Sequence, residues 1–256
     1  MKILGRTQML SGYPILECLD VMRDLGFDGV EVCVERKDGS WVVFDDALVA
    51  AVRERVTELG LSPYSFSLHQ DYIYDDHLLD ETKRAIRMTR DIGSDVFVFS
   101  GTKRLTGDEA EWDRMVARTR ELVDIAAECG VVLAEEFEPD FVVGSTSDLL
   151  RLFDEIPSPY LAANLDLGHV FLCDPDPMQA IAQLGDKIVH CHVENMRAGV
   201  HDHLLLQEGD MDLGAYIGAL ARVGFDGGLA LDLYKYDYEA IAPESIGYLR
   251  GLIGNA

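Results

Sequence analysis

Short apolar runs alternate with longer amphipathic ones along the chain, and the pattern predicts eight β/α units. The clearest strand is Ile188-Val-His-Cys-His-Val-Glu-Asn195. In an extended chain Val189, Cys191 and Val193 fall on one side, and His190, His192 and Glu194 on the other. Two imidazoles and a carboxylate on one face are costly to bury unless they bind something. Residues 29–35 alternate in the same way, with Glu31, Cys33 and Glu35 opposite Val30, Val32 and Val34. The other strands are predicted at 2–4, 64–68, 96–99, 131–136, 161–166 and 228–233. Helices are predicted between them: 14–25, a segment capped by Asp45 or Asp46 that ends before Gly60, 79–92, 108–129, 147–153, 177–184, 213–223 and 243–252. Residues 197–209 read as loop.

Such alternation implies a parallel sheet. Eight units in 256 residues is the size of a (β/α)8 TIM barrel, read here as a single domain over 1–256. A doubly wound open sheet would show the same alternation, so the strand ends decide. Catalytic groups of a barrel gather at the C-terminal ends of its strands, and His69, Glu136, Asp166, His192 and Asp232 stand at such ends. Parity agrees. Val132, Ala134 and Glu136 share a face, as do Ala162, Asn164 and Asp166, and Gly228, Ala230 and Asp232. Small residues lead to one polar group, while bulky aliphatics face the helices.

Glu136, Asp166, His192 and Asp232 thus converge from four neighbouring strands. Three carboxylates without a cation repel one another. A divalent metal relieves this, and the donor set suits Mn²⁺ first, with Mg²⁺, Co²⁺ or Zn²⁺ as alternatives. His69 joins as a substrate-contact candidate. His190, one layer below His192, either orients a ligand or is a satisfied core histidine.

Composition narrows the partners. The formal net charge is −24, which disfavours nucleic acid and anionic membranes. Five Cys without a C-x-x-C argue against a disulfide framework or structural zinc. No apolar run reaches 18 residues and the N-terminus has no signal-like segment, so a cytoplasmic setting is expected.

Across essentially its whole length the chain resembles the xylose-isomerase-like TIM barrels, the sugar isomerase and epimerase superfamily that also contains the family IV AP endonucleases. The matching stretches are Leu25-Gly-Phe-Asp-Gly-Val-Glu31, Gly130-Val-Val-Leu-Ala-Glu-Glu136, Asp166-Leu-Gly-His169, His190-Cys-His192 and Gly227-Gly-Leu-Ala-Leu-Asp232. The resemblance implies that Glu136, Asp166, His192 and Asp232 are the metal ligands of a ketose 3-epimerase. It makes Glu136 and Asp232 the pair that exchanges a proton from opposite faces of a sugar carbon, with His169 beside the metal. It gives Glu31 a structural or substrate-contact role and offers Arg197 as a substrate contact.

Two departures matter. Position 232 is usually Glu in that family. Asp is one methylene shorter, so Asp232 is expected to be a ligand first and a weak or absent base. One-base isomerisation or β-elimination stays compatible. His201-Asp-His203 and His69-Gln-Asp-Tyr72 resemble endonuclease motifs, and His203 is kept as a substrate-contact candidate. The endonucleases also carry a His at the end of strand four, where this chain has Phe99-Ser-Gly. The expected activity is a metal-dependent isomerase or epimerase acting alpha to the carbonyl of a keto-sugar or polyol derivative. The alternative is a lyase, a dehydratase or eliminase, on the same scaffold. A non-catalytic barrel subunit and a DNA endonuclease fit less well. The expected partner is a small sugar, with a homo-oligomer or partner subunit compatible.

Overall fold

A computed structural model describes residues 1–256 and shows a closed parallel barrel of eight strands. The strands are β1 (Lys2–Arg6), β2 (Gly29–Cys33), β3 (Ser62–Ser67), β4 (Val96–Ser100), β5 (Val132–Glu136), β6 (Leu161–Asp166), β7 (Ile188–Val193) and β10 (Gly228–Leu231). Each pairs with the next, and β10 closes onto β1. Between β7 and β10 an antiparallel hairpin, β8 (Asn195–Arg197) and β9 (Val200–Leu204), rises from the catalytic end. The helices are α1 (Ile15–Leu25), α2 (Asp46–Leu59), α3 (Asp76–Ile92), α4 (Glu109–Cys129), α5 (Thr146–Glu155), α6 (Leu167–Cys173), α7 (Pro177–Leu184), α8 (Leu213–Arg222) and α9 (Tyr238–Ile253).

Local chemistry cuts the chain at these points. Asp45, Asp75, Asp108, Asp176, Asp212 and Asp237 each accept a backbone N–H in the first turn of the following helix. Gly26, Gly60, Gly93 and Gly130 end four helices with positive φ. The main apolar core, 67 buried residues, lies between barrel and helices. Inside the barrel a small cluster of Val96, Val98 and Ala134 packs with Tyr64 and Val189. Tyr64 is an extra residue in β3, since Val30 pairs with Pro63 and Glu31 with Ser65. The Tyr64 ring sits over the floor beside Gly228, where an added Cβ would meet Leu4 at 2.4 Å.

Four elements differ from the pattern-based expectation. β1 runs on to Arg6, because alternation continues through Leu4 into the barrel. Residues 197–209 are not all loop: the hairpin occupies part of them. α6 follows β6 directly, and α9 begins at Tyr238 with Pro243 inside it. No helix is long and apolar enough to cross a membrane, and all five cysteines are unpaired.

Candidate active site

Register places Asp166 beside His192 across β6 and β7. Glu136 ends β5 next to them. His192 Nδ1 lies 3.1 Å from Glu136 Oε2 and 3.9 Å from Asp166 Oδ2. One donor atom from each of the three lies within 4.8 Å of the others, and all three residues are buried. Asp166 Oδ1 accepts from the His169 N–H at 2.8 Å and caps α6. Its Oδ2 is buried with no hydrogen-bond partner. A buried, unsatisfied carboxylate oxygen beside a second carboxylate and an imidazole fits a divalent cation. Burial works against charge on His192 and Arg6 repels it, yet Glu136 and Glu31 push its pKa up to about 10. A divalent cation would take the place of that proton.

The residues below hold this cluster in place. Glu31, fully buried on β2, accepts from His192 Nε2 at 3.1 Å. That bond keeps the proton on Nε2 and turns Nδ1 toward the donors. Glu31 is fully buried and is not among the residues that line the cavity. His190 is fully buried and reaches Glu136 through Asn164. Burial drives its pKa down to about 3, so it is a neutral core histidine. Its Nδ1 donates to Asn164 Oδ1 at 2.8 Å, and Asn164 Nδ2 donates to Glu136 Oε2 at 2.7 Å.

Asp232 stands apart from the other three expected ligands. Arg6, from the end of β1, binds its carboxylate through Nη1 at 2.5 Å and Glu31 through Nε at 2.9 Å. Asp232 instead groups with Glu194 and His203, whose donor atoms also lie within 4.8 Å of one another. Glu194 is buried, and its Oε1 accepts from the Gly168 N–H at 2.6 Å. Burial and the nearby Asp166 and Asp232 push its carboxyl well above the usual range.

These groups open into a cavity of about 200 Å³ lined by Arg6, Gln8, Glu35, His69, Glu136, Glu138, His169, His201, His203, Asp232 and Tyr234. His69 bridges Glu35 (Nδ1, 2.6 Å) and Glu136 (Nε2, 3.3 Å). Burial opposes its charge, but the two carboxylates hold its pKa well above the usual value. His169 Nδ1 donates to the Phe137 carbonyl at 2.9 Å, so its Nε2 faces His201 Nε2 at 3.1 Å. Alternation along β9 turns His201 and His203 to the cavity and Asp202 away from it.

The xylose isomerase-like TIM barrel family matches residues 19–252. The chain belongs to this family. It is 28% identical over 247 residues to the L-ribulose-5-phosphate 3-epimerase UlaE of Salmonella typhimurium, covering 90% of this chain and 85% of that one. Among solved structures it is similar to an L-ribulose 3-epimerase (TM-score 0.82, 18% identity, 99% of this chain and 95% of that one). It is equally similar to the probable 3-DHS dehydratase AsbF of Bacillus anthracis (TM-score 0.82, 16% identity, 98% and 99%). At those identities the two structures speak to the fold.

Within this barrel Arg197 does not reach the cavity. Its side chain is 61% exposed and lies 3.7 Å from Asp202. Trp41 and Phe44 line a separate apolar groove of about 340 Å³ beside α3. The pattern reading put Glu194 on the polar face with His192 but left out Arg6, Tyr234 and Gln8. Parity carried past Leu4 and Asp232 reaches the first two. No local signal marks Gln8, which accepts from the Tyr234 hydroxyl at 3.0 Å.

Proposed function

We propose that this chain is a divalent-metal-dependent isomerase or epimerase that moves a proton at the carbon next to the carbonyl of a small keto-sugar. The observation that carries the reading is the buried Glu136–Asp166–His192 donor group at the cavity floor, with Asp166 Oδ2 unpartnered. The 3-epimerase relative supports it at the level of reaction class. A cation held by those three residues would polarise the carbonyl and steady the charge that builds as the neighbouring carbon loses its proton. Mn²⁺ is the first ion to try.

The chain's own groups divide the remaining work. Glu136 has Oε2 tied to Asn164 and His69 and lines the cavity, so it is the carboxylate placed to take the carbon-bound proton. His169 and His201 face each other at Nε2 and can carry a proton between sugar oxygens. Asp232 is paired with Arg6, which makes it the weaker base of the two. That same arrangement favours a second reading, a lyase that removes the proton and expels a leaving group from the next carbon.

Proton exchange tests both. Protein loaded with Mn²⁺ is incubated with ketoses and 3-keto-glycosides in D₂O, and carbon-bound protons are followed by NMR. Exchange with a new sugar is expected, and Glu136→Gln should abolish it. Exchange with loss of a leaving group establishes the lyase. A protein that takes up no divalent cation sinks both readings.

A further inference from the structure

We infer that the substrate is an uncharged keto-sugar, without the phosphate carried by the substrate named for the Salmonella relative. This rests on the keto-sugar reading above and adds its charge class.

The cavity holds no cation left free for a phosphate. Its one guanidinium, Arg6, is already shared between Glu31 and Asp232. The His69 imidazole lies between Glu35 and Glu136. The rest of the lining is Glu138, Gln8, Tyr234 and three imidazoles: His169 and His201 face each other at Nε2, and His203 Nδ1 meets the Asp232 carbonyl at 3.1 Å. Even with a divalent cation bound, the carboxylates of Glu31, Glu35, Glu136, Glu138, Asp166 and Asp232 outnumber the positive charges. Carboxylates accept hydrogen bonds; a sugar hydroxyl donates one, whereas a phosphate dianion has none to give.

Barrels commonly bind phosphate with the loops after strands seven and eight and the N-terminus of a short extra helix. No extra helix stands between β10 and α9 here, and α8 and α9 are each capped by an aspartate. Asp212 accepts from the Ala215 N–H at 3.2 Å, and Asp237 from the Ala240 N–H at 3.4 Å. Each carboxylate stands where a phosphate oxygen would go, and it repels one. The neighbouring cations are also engaged. Lys235 and Arg197 both pair with Asp202, and Lys37 Nζ donates to the Tyr236 carbonyl at 2.8 Å.

The test compares each free ketose with its terminal phosphate ester on the Mn²⁺-loaded protein: L-ribulose, D-xylulose and D-fructose against their esters. The free sugar is expected to win by at least about tenfold in kcat/KM. Equal or better turnover of the esters overturns the inference and leaves the epimerase reading standing. Calorimetry with ribitol and ribitol 5-phosphate makes the same comparison without turnover. Tighter binding of ribitol supports the inference even where no ketose exchanges a proton, an outcome that would sink only the epimerase reading. Tighter binding of the phosphate, or no binding by either polyol, overturns it. Glu138→Gln is expected to narrow the preference, and an unchanged ratio would count against the charge explanation.

Discussion

The Arg6 guanidinium meets the Asp232 carboxylate at 2.5 Å, with the two side chains 2% and 4% exposed. Arg6 also holds Glu31, so one cation joins β1, β2 and the end of β10 at the cavity floor. Both carboxylates depend on it. Arg6→Met would strip the buried Asp232 carboxylate of its guanidinium and leave Glu31 with its histidine partners alone, which costs about 3–5 kcal/mol. Urea unfolding should show that loss, and adding Asp232→Asn should return part of it. A single variant as stable as the parent would mean the pair contributes nothing.

Glu31 holds His192 Nε2 and would act through it on a cation bound at Nδ1. Glu31→Gln should weaken Mn²⁺ binding about 10–100-fold while leaving the cavity wall untouched. Because His192 is protonated across the neutral range, with a pKa near the about 10 given by its carboxylate neighbours, the cation must displace that proton. Apparent affinity in the parent protein should therefore rise with pH, by up to about tenfold per unit. Calorimetric titrations at several pH values check the slope, and a flat profile would show that His192 is not a ligand.

Glu111 lies far from the cavity and holds the loop before α4. It accepts from the Leu105, Thr106 and Gly107 amides at 2.7, 3.1 and 2.6 Å and from the Tyr74 hydroxyl. Burial pulls its pKa up, but these donors outweigh that and bring it to about 2. A folded-state pKa below that of the unfolded chain gives stability that is complete above about pH 5 and lost as pH falls toward 2. Glu111→Gln should cost about 2 kcal/mol at neutral pH. The gap to the parent should close on acidification, and a gap that is constant with pH would rule out the carboxylate as its source.

Gly168 explains one residue of the Asp166-Leu-Gly-His169 motif. A Cβ there would lie 2.2 Å from Met196 Cε and 2.3 Å from Glu194 Oε1. Gly168→Ala must push Glu194 or the start of α6 aside, at about 1–3 kcal/mol. The same shift moves Asp166, which caps that helix, so Mn²⁺ affinity should fall together with Tm. Loss of stability with unchanged affinity would separate the two.

Much of this protein follows from local pattern. Period-two runs, aspartate caps and glycine stops place the eight strands and most helices, because each depends on residues a few positions apart. Strand parity is equally local, and it carries Glu136, Asp166 and His192 to one end of the barrel. It also turns Val132, Ala134 and Ala230 inward. Closure of the barrel decided the rest. Arg6 and Asp232 are neighbours only because β10 pairs with β1, so nothing near either residue in the chain announces that Asp232 meets a guanidinium. Glu31 holds His192 because the barrel interior brings β2 against β7. Arg197 and His201 differ in fate because the hairpin turns alternate residues to opposite faces, and only its antiparallel pairing settles which face meets the cavity.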